Sequence, residues 1–243
     1  MKTTTMNLSQ TAQRAIDAYG GSDLWKSHKF IEAEVSVKGL AFTLKRRPFF
    51  EHAKIKMEIA RPFSVLTPIG KDKLISGVLD GKDVRIENTD GKIICERKNA
   101  RDFFPYGRRL FYWDDLDMAY FANYAFWNYF TLPNLLTNHL IEWTEKENGF
   151  LSAVFPESIP THSSIQEFQF DTKDGLLIQH NYTVDIISKL AKAANVITEH
   201  KKAENVIYPS SRLITPQSGK GKALKRPILI DITVHTFNLK NND

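Results

Sequence analysis

The sequence predicts an α+β protein in which a strongly curved antiparallel sheet of about ten strands wraps around one aromatic helix. Apolar and polar residues alternate with a period of two over most of the chain, as in strands with one buried face. Asp-Gly pairs at 80–81, 90–91 and 174–175 are typical of tight hairpin turns, so neighbouring strands are expected to run antiparallel. Ten aromatic residues fall within residues 111–130, FYWDDLDMAYFANYAFWNYF, a stretch too apolar for an ordinary surface.

The first part of the chain is expected to hold a short helix and then a meander of strands. Residues 8–19 form an amphipathic pattern that Gly20-Gly21 ends. After this helix the apolar period changes from that of a helix to that of a strand. Strands are predicted at residues 30–37, 40–45, 51–59, 73–79, 83–88 and 92–97.

A longer helix is predicted from about Asp114 to Thr131. Asp114 can cap its first turn, and Asp115 and Asp117 lie favourably near the positive end of the helix dipole. Pro133 disfavours helical geometry at the residue before it, so the helix is expected to end or kink there.

The rest of the chain returns to strands and completes a single predicted domain, residues 1–243. The strands are expected at residues 140–145, 149–155, 165–171, 176–184, 196–203, 207–215 and 228–236. Residues 216–227 carry two glycines and four basic residues, and we predict a flexible, exposed basic loop there.

Composition limits the classes of function. The net charge of +5 comes without a long basic run, so a nucleic-acid partner is not expected. The one cysteine, Cys95, cannot form an intrachain disulfide or a cysteine-based zinc cluster, and its apolar neighbours predict a buried, inert thiol. No metal or other cofactor is expected.

Hydropathy bears on the relation to membranes. Asp and Asn residues interrupt the most apolar stretch, so no segment is expected to span a membrane. The first 21 residues contain no apolar core of the length that a secretory signal needs, so the protein is expected to be cytoplasmic. A periplasmic location would apply only if the native chain begins before residue 1.

Three polar residues are predicted to converge on the inner face of the sheet. A turn at 174–175 places His180 opposite Gln166 and Tyr182 opposite Ser164, both facing inward. In the simplest register of the following hairpin, His200 comes near Tyr182. These side chains either bind the polar part of a ligand or satisfy one another.

The aromatic helix supplies the other candidate ligand-binding residues. Tyr120, Tyr124 and Trp127 share one stripe and can line a cavity between helix and sheet, although such stripes also form plain cores. Asn123 and Asn128 are amides on an apolar helix, so each is expected to bond either to sheet backbone or to something bound.

Catalytic motifs are absent from the sequence. It contains no G-x-S-x-G, no H-E-x-x-H, no Walker A motif and no G-x-G-x-x-G, which lowers the expectation of the common hydrolase, zinc protease, NTPase and dinucleotide chemistries. We therefore assign no catalytic residue from the sequence.

Residues 15–39, AIDAYGGSDLWKSHKFIEAEVSVKG, and the order of elements resemble the half-barrel of bacterial lipoprotein carriers and lipoprotein-sorting-like proteins, the LolA/LolB-like superfamily. Residues 120–129 and 155–171 are also similar to a group of bacterial proteins without assigned function. The resemblance implies a concave sheet whose inner surface accepts an acyl chain or another apolar molecule.

Three functional hypotheses follow. The first is binding of a lipid-like or other hydrophobic small molecule in the concavity of the half-barrel. The second is an enzyme that acts on an apolar substrate through His180, Tyr182 and His200. The third is a structural or partner-binding module with a filled interior, which a cavity of a few hundred cubic ångströms beside Trp127 would contradict.

Overall fold

A computed structural model describes residues 8–104 and 107–241. It confirms an α+β fold in which one antiparallel sheet curves around the aromatic helix. The described strands number thirteen instead of about ten. They are β1 (Phe30–Lys38), β2 (Phe50–Glu58), β3 (Phe63–Thr67), β4 (Ser76–Asp80), β5 (Asp83–Glu87), β6 (Ile93–Arg97), β7 (Glu142–Glu145), β8 (Phe150–Val154), β9 (Ile165–Phe170), β10 (Leu177–Thr183), β11 (Lys192–Ala203), β12 (Val206–Pro216) and β13 (Ile230–Lys240).

Five α-helices accompany the sheet in the described part of the chain. They are α1 (Gln10–Ala18), α2 (Ser22–Ser27), α3 (Leu40–Leu44), α4 (Asp115–Phe130) and α5 (Leu132–Leu135), with 3₁₀ turns at Ala100–Phe103 and Gly107–Leu110. None of these helices is both long and apolar enough to cross a membrane.

The sheet consists of two meanders, which are joined where β1, near the start of the chain, pairs with β13, near its end. Strands β1 to β6 follow one another outward on one side, and β13 back to β7 follow one another on the other. Strand β1 pairs with β13 along its whole length, from Phe30 opposite Lys240 to Lys38 opposite Asp231. All thirteen strands share this one sheet, so we keep the proposal of a single domain.

Alternation along most strands directs apolar side chains to the concave face. In β1, Ile31, Ala33, Val35 and Val37 are buried while the residues between them are at least partly exposed. The buried apolar residues of the sheet join those of the helices in one core.

The start of α4 carries the predicted caps and an ion-pair network. The backbone N–H of Asp117 donates to the Asp114 carboxylate at 2.7 Å, and the N–H of Asp114 donates to Asp117 at 3.0 Å. The Asp117 carboxylate is fully buried and accepts from Arg97 at 2.5 Å and from Arg109 at 2.7 Å. These partners compensate the burial of its charge.

Helix α4 lies against the concave side of β3, β4 and β5. A Cβ atom at Gly77 of β4 would come within 2.6 Å of the Ala119 Cβ, so only glycine permits this approach. The Asn123 amide donates to the Gly77 carbonyl at 3.0 Å and accepts from the Ser64 hydroxyl at 2.7 Å. Asn123 therefore bonds to the sheet, one of the two outcomes predicted for it.

Two local predictions are wrong, and two short elements were not predicted. Residues 40–44 form α3 instead of a strand, because Gly39 at φ 136° turns the chain and only Phe42 of α3 is buried. Cys95 is exposed, because β6 is an edge strand with both faces largely open to solvent. Pattern analysis also missed α2 and β3, two short elements of six and five residues.

The basic loop at 216–227 touches the sheet through its backbone. The Gly221 carbonyl accepts from the side-chain amides of Gln179 at 2.8 Å and Asn181 at 2.9 Å. Its flexibility stays a prediction.

The close approach of α4 to β4 gives a stability prediction. Replacing Gly77 with Ala forces a methyl group against Ala119, and we expect the free energy of unfolding to fall by about 1–3 kcal/mol, as for other overpacked cores. Urea denaturation measures this change.

Gly219→Ala is the matched control, since a Cβ atom there meets nothing within 4 Å. We expect the free energy of unfolding of this variant to stay within about 0.5 kcal/mol of the wild type. Equal stability of the two variants would show that α4 is not seated on Gly77.

Candidate functional site

Two adjoining cavities lie between α4 and the concave face of the sheet. The larger has a volume of about 70 Å³ and the smaller about 30 Å³. Both are lined by Phe42 of α3, Met118 and Phe121 of α4, and Ile230 of β13. We call them the apolar cavity pair, because nearly all of their lining side chains are apolar.

Lys45 and Arg47 are the charged exceptions in the wall of the larger cavity. The Lys45 ammonium group donates to the carbonyls of Arg109 at 3.0 Å and Leu110 at 2.7 Å, and burial lowers its pKa. The Arg47 guanidinium pairs with Asp115. These contacts tie the end of α3 to the segment that leads into α4 and so close the cavity.

Exposed hydrophobic side chains surround the segments that close this cavity. Leu40 and Leu44 belong to α3, and Phe111, which is 71% exposed, lies two residues before the cavity-lining Trp113. We call this group the apolar rim; its members are Leu40, Leu44, Leu110, Phe111, Tyr112 and Ile228. A cluster of this kind is typical of a surface that binds another molecule.

His180 and Tyr182 face the interior as predicted, but in a different register. His180 lies opposite Phe168 instead of Gln166, because the turn pairs Leu177 with Phe170, one residue from the predicted register, and the pairing shifts by one further residue between Leu177 and Gln179. The His180 imidazole still reaches the Gln166 side chain, at 2.5 Å between Nε2 and Oε1.

His200 does not join these residues, so its predicted convergence is wrong. Strand β11 begins at Lys192, which places Asn195 opposite His180 and Ala193 opposite Tyr182. His200 lies farther along β11 and contacts the Tyr19 hydroxyl at 3.0 Å. Burial lowers its pKa to about 4.

His162 takes the position that was predicted for His200. Its ring stacks on Tyr182 at 3.9 Å between centroids, and its two nitrogens contact the hydroxyls of Tyr124 at 3.2 Å and Tyr129 at 2.9 Å. The Tyr129 and Tyr182 hydroxyls are 2.7 Å apart. We call Tyr124, Tyr129, His162, His180 and Tyr182 the histidine–tyrosine cluster.

Sequence reasoning assigned no role to His162, because it lies in the segment before β9, where no strand period assigns it to a face. A histidine within an otherwise apolar and small-residue stretch, IPTHSS, is the one signal that could have marked it.

Burial keeps the histidine–tyrosine cluster uncharged at neutral pH. It lowers the pKa of His162 to about 3 and that of His180 well below its ordinary value. It raises the pKa of Tyr129 to about 12 and those of Tyr124 and Tyr182 well above the ordinary value. A general acid or base works best with a pKa near the operating pH, so these values do not favour acid–base catalysis.

The predicted ligand-binding residues of α4 mainly form hydrogen bonds to other parts of the protein instead of lining a cavity. The Trp127 indole is buried and donates to the Glu58 carbonyl at 2.8 Å, and the Asn128 amide donates to the carbonyls of Tyr124 and Pro160. Trp127 does not line the apolar cavity pair.

The eight predicted ligand-binding residues therefore fall into three groups. Tyr182 lines the apolar cavity pair, and Tyr120 lines a separate polar cavity. The other six line neither; they are Asn123, Tyr124, Trp127, Asn128, His180 and His200. A ligand-binding role for any of the eight stays a prediction.

Sequence reasoning missed the polar cavity, which has a volume of about 390 Å³. Its wall includes Arg101, Asp185 and Tyr120. The Arg101 guanidinium donates to the carbonyls of Thr161 at 2.6 Å and His162 at 3.2 Å and lies 3.9 Å from Asp185. Its charge is thus already engaged. Across the described residues, no three His, Cys, Asp or Glu side chains group as metal ligands.

Comparison with solved structures bears on the fold. A LolA superfamily protein from Nitrosomonas europaea is 8% identical, with a TM-score of 0.52 over 97% of this chain and 95% of that one. A DUF1329 family protein from Desulfovibrio piger is 9% identical, with a TM-score of 0.49 over 94% and 91%. A proposed outer membrane lipoprotein-sorting domain from Vibrio parahaemolyticus is 11% identical, with a TM-score of 0.47 over 95% and 91%.

The first of these similarities confirms the predicted LolA-like fold. At 8% identity it shows the fold alone. No protein family model matches the chain, and no curated protein matches it in sequence.

The buried histidines predict how stability depends on pH. Below pH 6.5 an unfolded chain protonates His162, whereas the folded protein resists protonation until its pKa of about 3. The unfolded state then binds more protons, so acidification destabilises the fold. For His162 alone, the free energy of unfolding should fall by about 2 kcal/mol between pH 7 and pH 5.

Urea denaturation of the wild type and His162→Gln at the two pH values tests this. We expect a pH-dependent loss that is smaller in the variant by about that amount, while the exposed His139→Gln control keeps the wild-type loss. An equal loss in all three proteins would contradict the burial of a neutral His162.

Proposed function

We propose that this protein binds a lipid-like or other hydrophobic small molecule on the concave side of its half-barrel, beneath α3 and α4. The apolar cavity pair carries the proposal, because it places unfilled space against apolar side chains of both helix and sheet. Apolar pockets of this kind are the usual sites for such ligands. The LolA-like fold supports the same location, since its concave sheet is the surface that the sequence resemblance associates with an acyl chain.

The size of the cavity pair indicates that α3 moves when a ligand binds. Volumes of about 70 and 30 Å³ are smaller than the roughly 150 Å³ that accommodates benzene in an engineered cavity. Helix α3 has only five residues and lies between Gly39 and Arg46, both at positive φ. It is therefore a short cover whose displacement exposes Phe42 and the cavity beneath it.

The apolar rim supports entry of the ligand past a displaced α3. Its exposed side chains lie on α3 and on the segments next to it, so a hydrophobic molecule that leaves water meets apolar surface before it reaches the cavity. The main alternative is a non-catalytic module with a filled interior, which the full burial of Trp127 and Tyr124 favours.

Two measurements separate these functions. Native mass spectrometry followed by organic extraction should detect a co-purifying apolar molecule. Titration with N-phenyl-1-naphthylamine, a neutral fluorophore, should give saturable binding with enhanced emission. A clean apo mass together with no saturable fluorescence would support the filled module.

A cavity-filling variant locates the site. Ala193 lines the larger cavity opposite Tyr182, and Ala193→Leu places three additional carbons in that space. We expect about a tenfold or greater loss of fluorophore affinity, with a melting temperature that is unchanged or higher because a void is filled.

Ala60→Leu is the control, because it adds the same carbons at an exposed position. Its affinity should equal that of the wild type. Wild-type affinity in Ala193→Leu would place the bound molecule outside the apolar cavity pair.

A further inference from the structure

Arg212 is a buried cation, and two of its three guanidinium nitrogens have no hydrogen-bond partner in the described part of the chain. It lies on β12 with no measurable exposure, and its guanidinium stacks over the Tyr129 ring at 5.0 Å. Its Nη2 donates to the Tyr129 carbonyl at 3.1 Å, while Nε and Nη1 have no hydrogen-bond partner among the described residues. Unused donors of a buried guanidinium are costly, so their retention calls for a physical reason.

The groups around Arg212 supply no negative charge at neutral pH. Within the described residues, no Asp or Glu forms an ion pair with it, and the titratable groups around it are the phenols of Tyr19, Tyr129 and Tyr182 and the neutral imidazoles of His180 and His200. Burial lowers the pKa of Arg212 to about 10, which still leaves it charged near pH 7. A net positive charge therefore remains inside the fold.

Asn195 adds a second set of unused polar atoms beside Arg212. It is fully buried on β11 close to the Tyr129 hydroxyl, and neither its Nδ2 nor its Oδ1 makes a hydrogen bond of normal geometry among the described residues. Asn195 lies opposite Ile214 and Arg212 opposite Ile197, which makes the two side chains diagonal neighbours on one face. Together they direct guanidinium and amide donors into the same region.

This region adjoins the apolar cavity pair. The smaller cavity is lined by Tyr129, on which Arg212 stacks, and by Ile232, which lies opposite Arg212 on β13. The larger cavity is lined by Ala193, two residues before Asn195 on the same face. A molecule that is polar at one end and apolar along the rest can span both environments.

We propose that Arg212 and Asn195 bind the head of an amphiphile with one compact oxyanion, a carboxylate or a phosphate monoester, whose chain occupies the apolar cavity pair. This proposal rests on the proposed function and narrows its ligand class. An oxyanion accepts hydrogen bonds and offers none, so it matches donors that lack acceptors and also neutralises the guanidinium. A water molecule could accept the hydrogen bonds but would not neutralise the guanidinium charge.

Ligands with one chain length and different heads test the proposal. Decanoate, decyl phosphate and decanol compete with N-phenyl-1-naphthylamine for the wild-type protein. We expect the two anions to displace the fluorophore at concentrations about tenfold or more below that of decanol, as for a hydrogen bond to a charged group. Stronger competition by decanoate would identify a carboxylate as the head group, and stronger competition by decyl phosphate would identify a phosphate.

Substitutions assign the preference to particular residues. In Arg212→Met, which keeps an apolar chain of similar length, the anion-to-decanol ratio should fall to about one. Asn195→Leu should lower the ratio in part, and Arg14→Met, at an exposed arginine of α1, should keep the wild-type ratio. If Arg212→Met does not fold, the comparison of Asn195→Leu with Arg14→Met decides.

Two failures are distinguishable. A wild-type ratio near one, or an unchanged ratio in a folded Arg212→Met, overturns the oxyanion site and leaves hydrophobic binding in place. Absence of binding by both the fluorophore and decanol overturns the proposed function and, with it, the inference drawn from it.

Discussion

Enclosure of helix α4 is the constraint on which the rest of the structure depends. The helix is apolar on all sides, and nearly every residue from Leu116 to Phe130 is buried. One flat sheet covers only one side of a helix, so the sheet must curve and short helices must close what it leaves open. Hydrophobic contact has no direction, and the position of α4 is fixed instead by hydrogen bonds of Asp117, Asn123 and Trp127.

The interior of the half-barrel holds two kinds of buried polar group. Members of the histidine–tyrosine cluster satisfy one another, which makes that part of the core rigid and costs little. Arg212 and Asn195 retain unused atoms a short distance away. Four of the six unsatisfied buried side-chain atoms of the described residues belong to these two side chains. Such a concentration in a well-bonded core is typical of functional sites, where stability is traded for binding.

Short segments outside the sheet cover this interior. Helix α3 and the segment before α4 close the larger cavity through contacts of Lys45 and Arg47, and both segments expose large apolar side chains. Apolar surface on a cover is costly in water and fits the proposed binding of an apolar ligand.

The sequence by itself determined the local structure: the period of most strands, the Asp-Gly turns, and α4 with its cap at Asp114. It also determined that His180 and Tyr182 face inward, because alternation fixes the face of every residue in a strand. Tertiary structure decided which residues meet across strands. The start of β11 at Lys192 brought Asn195 opposite His180 and left His200 apart. The pairing of β9 with β10 placed Phe168 opposite His180, and His162 entered the cluster from the segment before β9. The register of strand pairs, the position of a strand at the sheet edge and the entry of a loop residue into the core depend on contacts between residues far apart in the chain. The periodicity of the sequence does not encode these contacts.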